Sequence, residues 1–200
     1  WRDANLPEQF QILDSDDQLR LIKRVRKNLE IDEGRWPAKQ TQWYIGGQKD
    51  EGRRASYLQR TGDLHTDTLI KIYTAYEEAC QRGGLVDFGE LLLRSHELWL
   101  NKPELLAHYQ QRFRFLLVDE FQDTNTIQYA WLRVLAGGQS YITAVGDDDQ
   151  SIYGWRGAQI ENIQRFTQHF PNVHTVRLEQ NYRSTATILK AANAVIDNNR

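Results

Sequence analysis

The sequence predicts an α/β protein in which a helical segment precedes a parallel sheet. Residues 1–112 carry apolar side chains at helical spacing. After them, short apolar runs alternate with helical patterns, an order typical of parallel α/β structure. The 200 residues are 40% hydrophobic and 26% charged, a composition that excludes a disordered tail or a fibrous repeat.

The helical segment is predicted to contain five helices. Apolar positions recur every three or four residues, prolines are placed to open two of the helices, and two glycines follow the third. The markers, in chain order, are Leu19–Leu29, Pro37, Leu69–Cys80, Phe88–Leu98 and Pro103.

The second part is predicted to alternate three strands with three helices. The strands are Phe113–Val118, Tyr141–Val145 and Val173–Leu178, and the helices are Thr124–Ala136, Gln159–Phe170 and Thr185–Asn198. The first strand, a short apolar run, is predicted to be buried. Three strands are few for such a sheet, so we expect the remainder to be missing from this chain or supplied by another segment.

Polar side chains follow each of the three predicted strands. Asp119 and Glu120 come directly after the first, Gly146–Gln150 after the second, and Tyr182 and Arg183 soon after the third. Ligands of open parallel sheets bind beyond the carboxyl ends of the strands. This convergence predicts a binding site at that edge.

These residue types are suited to phosphoryl-transfer chemistry. One carboxylate of Asp119 and Glu120 could hold Mg²⁺ while the other orients a water molecule. The Gln150 amide could contact a phosphate oxygen, the Arg183 guanidinium could neutralise a transferring phosphoryl group, and the Tyr182 ring could stack on a base. The alternatives are solvated acids, an ordinary loop glutamine, and a surface ion pair beside a packed tyrosine.

A glycine-flanked loop follows the second strand and contains two aromatic residues and an arginine. Tyr153, Trp155 and Arg156 offer aromatic faces beside a positive charge, which suits stacking on single-stranded bases. The alternative is a hydrophobic plug beneath the loop.

The remaining signals are weaker. The formal net charge of −2 neither indicates nor excludes nucleic-acid binding. Five cations within eight residues form either a phosphate-facing strip or a solvated helix face: Arg20, Lys23, Arg24, Arg26 and Lys27. The histidines lack metal-ligand spacing and Cys80 lies on an apolar stripe, so we predict no metal held by protein ligands alone.

The cellular setting follows from cysteine usage and hydropathy. A single cysteine, no signal peptide and no apolar run of about 18 residues predict a soluble protein of the reducing cytoplasm, with no membrane partner. The chain starts at Trp1 and contains no methionine, so we expect an internal piece of a longer protein.

Three strings together resemble the UvrD/Rep/PcrA group of superfamily 1 DNA helicases. They are LLVDEFQDTN (Leu116–Asn125), VGDDDQSIYGWRGA (Val145–Ala158) and LEQNYRS (Leu178–Ser184), in the order and spacing of three helicase motifs. Two further strings, WYIGGQKDEG (Trp43–Gly52) and LVDFGELLLR (Leu85–Arg94), favour the UvrD branch. The resemblance covers essentially the whole chain.

The resemblance implies a partial RecA-like (P-loop NTPase) sheet preceded by an all-helical inserted domain. Residues 113–179 would form the later part of the first RecA-like domain, and residues 1–112 would be the helical domain inserted into it. Residues 180–200 would begin the second RecA-like domain.

The resemblance also implies ATP and Mg²⁺ as cofactors and assigns a role to each candidate residue. Asp119 would bind Mg²⁺, Glu120 would activate the attacking water, and Gln150 would sense the γ-phosphate. Tyr182 would stack on adenine, and Arg183 would act as an arginine finger.

Tyr153, Trp155 and Arg156 would contact single-stranded DNA. The family unwinds duplexes with 3′-to-5′ polarity in DNA repair. The implied partners are therefore single-stranded DNA, a duplex junction and repair proteins.

One departure separates the chain from the family pattern. It contains no G-x-x-x-x-G-K-[ST] string and no Gly-Lys dipeptide. We therefore expect that this chain alone does not hydrolyse ATP. Two alternatives remain open, a non-catalytic nucleic-acid- or protein-binding module with helicase-like strands, and a helicase–nuclease subunit of the RecB type.

Overall fold

A computed structural model describes residues 1–138 and 140–198 as a helix-rich α/β protein with two small parallel sheets. The helices are α1 Ser15–Asn28, α2 Ala38–Asp50, α3 Leu64–Gly83, α4 Phe88–Asn101, α5 Pro103–Arg112, α6 Thr126–Ala136, α7 Glu161–His169 and α8 Ala186–Ile196. The strands are β1 Gln11–Leu13, β2 Leu85–Asp87, β3 Phe115–Val118 and β4 Tyr141–Ala144.

All five predicted helices of the first part are confirmed, and their ends follow local chemistry. Asp14, Asp63 and Asp87 cap α1, α3 and α4 by accepting backbone N–H groups of the first turn. Gly84 ends α3 in the left-handed conformation, as the paired glycines predicted.

The sheet formed by β1 and β2 was not predicted. The strands run parallel, with Gln11 opposite Leu85 and Leu13 opposite Asp87. Each strand has three residues, which is too short to show an alternating pattern in the sequence.

The other sheet contains the first two predicted strands. β3 and β4 pair in parallel, with Phe115 opposite Tyr141 and Val118 opposite Ala144. The helix α6 lies between them in sequence, as a parallel connection requires. Their carboxyl ends therefore lie side by side.

Two strand predictions are wrong. Val173–Leu178 is not a strand but an exposed segment without ladder pairing, in which Leu178 is 86% exposed. Strand β3 is not buried, since Leu117 is 82% exposed. Both errors have one cause, because an apolar run becomes a buried strand only where neighbouring strands and helices cover it.

The main core lies between α1, α2 and α3. Ile22, Ile45, Ile72, Tyr73 and Tyr76 are fully buried there. Cys80 is a buried free thiol at the edge of the same cluster, as its apolar stripe predicted.

The five cations of α1 do not share one surface. Arg26 is buried, donates to the Trp36 carbonyl and forms an ion pair with Glu33 at 2.7 Å. Arg20 is exposed and pairs with Asp17. A strip of all five residues facing phosphates is therefore wrong.

A charged network is buried where α2, α3 and α4 meet. Lys49, only 2% exposed, donates to Asp87 at 2.8 Å and lies 3.1 Å from a Glu90 oxygen. Arg54 donates to both oxygens of Glu90, and the Tyr76 hydroxyl donates to Asp87. Such a network specifies one arrangement of the three helices, because removal of any partner leaves a buried charge unpaired.

Glu90 makes the stability of this network pH-dependent. Burial opposes its ionisation, but the charges of Lys49 and Arg54 outweigh burial and lower the pKa of Glu90 to about 2. The unfolded chain protonates this carboxylate at higher pH than the folded one. Its contribution is therefore complete above the ordinary carboxyl pKa and is lost as the pH falls toward 2.

We expect Glu90→Gln to have a lower thermal unfolding midpoint than the parent protein at pH 5. The difference between the two midpoints should be smaller at pH 3, where the parent loses part of the contribution of Glu90. The exposed control Glu8→Gln should leave the parent pH profile unchanged. Parallel profiles for Glu90→Gln and the parent would contradict this role of Glu90.

Candidate functional site

The chain turns sharply at the end of β3. Glu120 has a φ of +49°, a conformation that costs a non-glycine residue of order 1–3 kcal/mol and is concentrated at functional sites. The Asp119 carboxylate accepts the Glu120 N–H at 2.9 Å and stabilises this turn. Phe121 is buried against the Phe166 ring, so the two preceding carboxylates remain at the exposed surface.

The turn after β4 packs closely against the first one. The Phe121 N–H donates to the Val145 carbonyl at 2.9 Å. A Cβ at Gly146 would lie 2.6 Å from the Gln122 Oε1 and 3.2 Å from the Phe121 nitrogen. A side chain at this position would have to displace the buried Gln122 amide, so the close approach of the two turns depends on glycine.

A buried amide joins the two turns. Gln122 is 1% exposed, donates to a Glu120 oxygen at 2.7 Å and accepts the Asp147 N–H at 3.0 Å. The Asp147 carboxylate in turn accepts from the Gln150 amide at 2.7 Å. The structure therefore connects Glu120 to Gln150 through two intermediate residues.

Sequence analysis did not identify Gln122 as part of the site. Its position between two acidic residues carried a usable signal, since a polar side chain after a buried phenylalanine needs partners. The identity of those partners depends on the neighbouring turn.

A cleft of about 410 Å³ opens beside the first turn, between α4 and α6. Asp119, Glu120 and Asp123 contribute to its lining. The Asp123 Oδ1 is buried and has no hydrogen-bond partner within the part of the chain that the structure describes. The residues at hand suit Mg²⁺, which binds one or two carboxylates and completes its shell with water and phosphate.

The geometry does not provide a metal cage. Residues 1–138 and 140–198 contain no cluster of three or more histidine, cysteine, aspartate or glutamate side chains arranged around one ion. A cation here would need ligands from water or from a bound phosphate.

The aromatic loop forms a compact cationic cluster on the surface. The Tyr153 and Trp155 rings lie 6.4 Å apart, and the Arg156 guanidinium lies 5.1 Å from the first ring and 4.8 Å from the second. Trp155 is 77% exposed. The hydrophobic plug interpretation of Trp155 is therefore wrong, since the ring faces solvent.

The third group of candidates lies apart from the others. Tyr182 is 92% exposed, and the Arg183 N–H donates to the Asn181 side chain. Among the described residues, no hydrogen bond or ion pair connects Tyr182 or Arg183 to Glu120 or Gln150. The structure thus brings together the ends of two strands and not the third segment.

Comparison with known proteins identifies the family. A model of the UvrD/REP helicase N-terminal domain matches residues 2–171. The chain belongs to this family. It is 64% identical over 197 residues to "DNA helicase II" of Escherichia coli strain K12, covering 98% of this chain and 27% of that protein.

A less similar relative also carries the name of a DNA helicase. The chain is 41% identical to "ATP-dependent DNA helicase PcrA" of Staphylococcus aureus strain Mu50, over 99% of its own length and 28% of that helicase. The UvrD/REP match agrees with the predicted resemblance. The chain spans little more than a quarter of the curated relatives it matches. Within the described ranges, no helix combines the length and apolar character needed to cross a membrane.

We expect Gly146→Ala to weaken the contact between the two turns by roughly 1–3 kcal/mol, the usual cost of inserting a methyl group into a filled space. Amide hydrogen exchange of a peptide containing Phe121 should become faster. Gly138→Ala is the matched control, because a Cβ there meets nothing within 4 Å. Equal protection of Phe121 in all three proteins would show that the close approach is not needed.

Proposed function

We propose that this chain is part of an ATP-dependent DNA helicase that moves 3′-to-5′ along single-stranded DNA and unwinds duplexes in DNA repair. The hydrogen-bonded chain from Glu120 through Gln122 and Asp147 to Gln150 carries the proposal. It brings the Glu120 carboxylate and the Gln150 amide, which we propose activate water and sense phosphate, to one edge of a parallel sheet. Membership of the UvrD/REP family supports the same activity.

The proposed domain organisation follows from this function. Residues 113–179 are the later part of a RecA-like domain, residues 1–112 are a helical domain inserted into it, and residues 180–200 begin a second RecA-like domain. The parallel β3–α6–β4 unit supports the first assignment. The exposed apolar side chains of β3 support a larger sheet in the whole protein.

The turn after β3, residues 119–123, is called the acidic turn. We assign it to the binding of Mg²⁺ and to the activation of the attacking water. Asp119 would hold the Mg²⁺ that accompanies ATP, and the ion bound there would supply positive charge beside the phosphates. Glu120 accepts a proton from water, and its hydrogen bond from Gln122 fixes the carboxylate orientation. The unpartnered Asp123 oxygen in the adjoining cleft supports a cation at this turn.

The remaining nucleotide contacts are assigned to Gln150, Tyr182 and Arg183. Gln150 senses the γ-phosphate, Tyr182 stacks on adenine, and Arg183 stabilises charge on the transferred phosphoryl group. The exposure of Tyr182 leaves its ring available to a base. These roles require the segment after residue 180 to approach the acidic turn during the reaction.

The aromatic loop is assigned to single-stranded DNA. Tyr153 and Trp155 offer faces for stacking, and Arg156 adds positive charge near the phosphate backbone. We further propose cytoplasmic location and contact with repair proteins. Without a phosphate-cradling loop, the isolated chain should not hydrolyse ATP.

We expect Glu120→Gln in the full-length protein to reduce ATP turnover by at least about a hundredfold, since a general base contributes that much or more. ATP binding should remain nearly intact, because the amide has almost the same size. Steady-state turnover and equilibrium nucleotide binding test the two statements.

Glu8→Gln is the control, since Glu8 is an exposed carboxylate outside the predicted site. It should leave turnover within a factor of about three of the parent protein. Normal turnover of Glu120→Gln would remove Glu120 as the base.

We expect Trp155→Ala to weaken single-stranded DNA binding by roughly 1–3 kcal/mol, the usual value of one stacked aromatic side chain. Fluorescence anisotropy with a labelled oligonucleotide measures the change. Trp43→Ala removes another exposed tryptophan, on α2, and should leave affinity unchanged. Equal losses in the two variants would contradict a specific contact at Trp155.

A further inference from the structure

The end of α2 contacts both segments that the proposed function uses. Asp50 accepts the Asn125 side-chain N–H at 2.9 Å, and Asn125 follows the acidic turn directly. Glu51 accepts from the Thr126 hydroxyl at 3.2 Å and from the Gln159 amide at 3.4 Å. Two adjacent acids thus hold the start of α6 and the end of the aromatic loop.

The two segments also contact each other at this point. The Thr124 carbonyl accepts the Gln159 N–H at 2.9 Å and the Asn162 side-chain N–H at 3.1 Å. Asn162 is fully buried. Gly157 has a φ of +85°, and a Cβ added there would lie 3.6 Å from the Asp50 Cβ, so the aromatic loop passes near Asp50. We call this meeting point of Asp50, Glu51, Thr124–Thr126 and Gly157–Asn162 the three-way joint.

The upstream side of the joint is firmly anchored. Lys49 precedes the two acids and is held in the buried charge network by Asp87 and Glu90. The Arg53 carbonyl, just beyond them, accepts the Tyr73 hydroxyl at 3.0 Å. The acidic pair is therefore a fixed support against which the two loops rest.

The electrostatics of this placement favour a specific role. Negative charge is unfavourable at the carboxyl end of a helix, where Asp50 and Glu51 stand. Burial, with Glu51 and Asp87 nearby, also raises the pKa of Asp50 to about 6. Both acids thus lie in an unfavourable position for α2, where Asn125 donates to Asp50 and Thr126 and Gln159 donate to Glu51.

We propose that Asp50 and Glu51 are positioning residues that couple DNA contact at the aromatic loop to ATP hydrolysis at the acidic turn. A displacement of residues 153–157 by DNA passes through Gln159 to Glu51 and Thr126, and through the adjoining Asp50 to Asn125. It thereby shifts the turn that carries Glu120. This inference rests on the proposed function and adds a regulatory element to it.

The test compares full-length parent protein with Asp50→Ala/Glu51→Ala and with Asp50→Asn/Glu51→Gln. The alanine pair removes the carboxylate oxygens of Asp50 and Glu51, whereas the amide pair keeps one acceptor oxygen at each of the two positions. Glu8→Ala/Glu78→Ala is the control, since it removes two exposed negative charges away from the joint. ATP turnover is measured with and without oligothymidylate, and oligothymidylate affinity is measured separately.

We expect the alanine pair to keep basal turnover and DNA affinity within about a factor of three of the parent values. The ratio of turnover with DNA to turnover without it should fall at least about fivefold, a typical size for coupling between sites. The amide pair should recover most of the stimulation, and the control should match the parent protein. An unchanged stimulation ratio in the alanine pair would overturn the inference. Equal loss of basal and stimulated turnover would also overturn it, because that result indicates a structural defect.

Hydrogen exchange supplies a readout that does not depend on catalysis. Oligothymidylate should slow exchange in residues 119–126 of the parent protein and leave that segment unaffected in the alanine pair. Slowing in both proteins would overturn the inference even if turnover were lost. A parent protein that shows no ATP turnover with DNA would instead refute the proposed function, so the two failures are distinguishable.

Discussion

The buried ion network around Lys49 is the constraint on which the rest of the structure depends. Its charges come from α2, the segment after α2, and the start of α4, so the network constrains how these segments pack against one another. Burial of ions costs free energy, and the contacts made by Arg54 and Tyr76 offset that cost. The C-terminal end of α2, where Lys49 lies, also contacts the start of α6 and the end of the aromatic loop.

A second constraint operates where the two turns meet. Gly146 has no side chain, so the backbone of one turn approaches the buried Gln122 of the other. That amide satisfies Glu120 and the Asp147 backbone together. The carboxylate after one strand is therefore connected by hydrogen bonds to the turn after the next strand.

Several features of the fold were predictable because they depend on local chemistry. Apolar spacing around Ile22 and Tyr76 identified core-facing helices, and Gly84 marked a helix end that requires a left-handed residue. The carboxyl ends of β3 and β4 were expected to meet, since parallel strands share an edge. Val173–Leu178 is not a strand, because a segment with β-branched residues forms a strand only where a neighbouring strand pairs with it.

The sequence by itself determined which chemistry this protein carries: acids after one strand, a glutamine after the next, and an aromatic loop with its arginine. Tertiary structure alone decided that Gln122 joins two of these groups and that Tyr182 stands apart from them. It also decided that Asp50 and Glu51 meet Asn125 and Gln159, residues 75 and 108 positions further along. Such contacts arise from packing between distant segments, and no local pattern of residues encodes them.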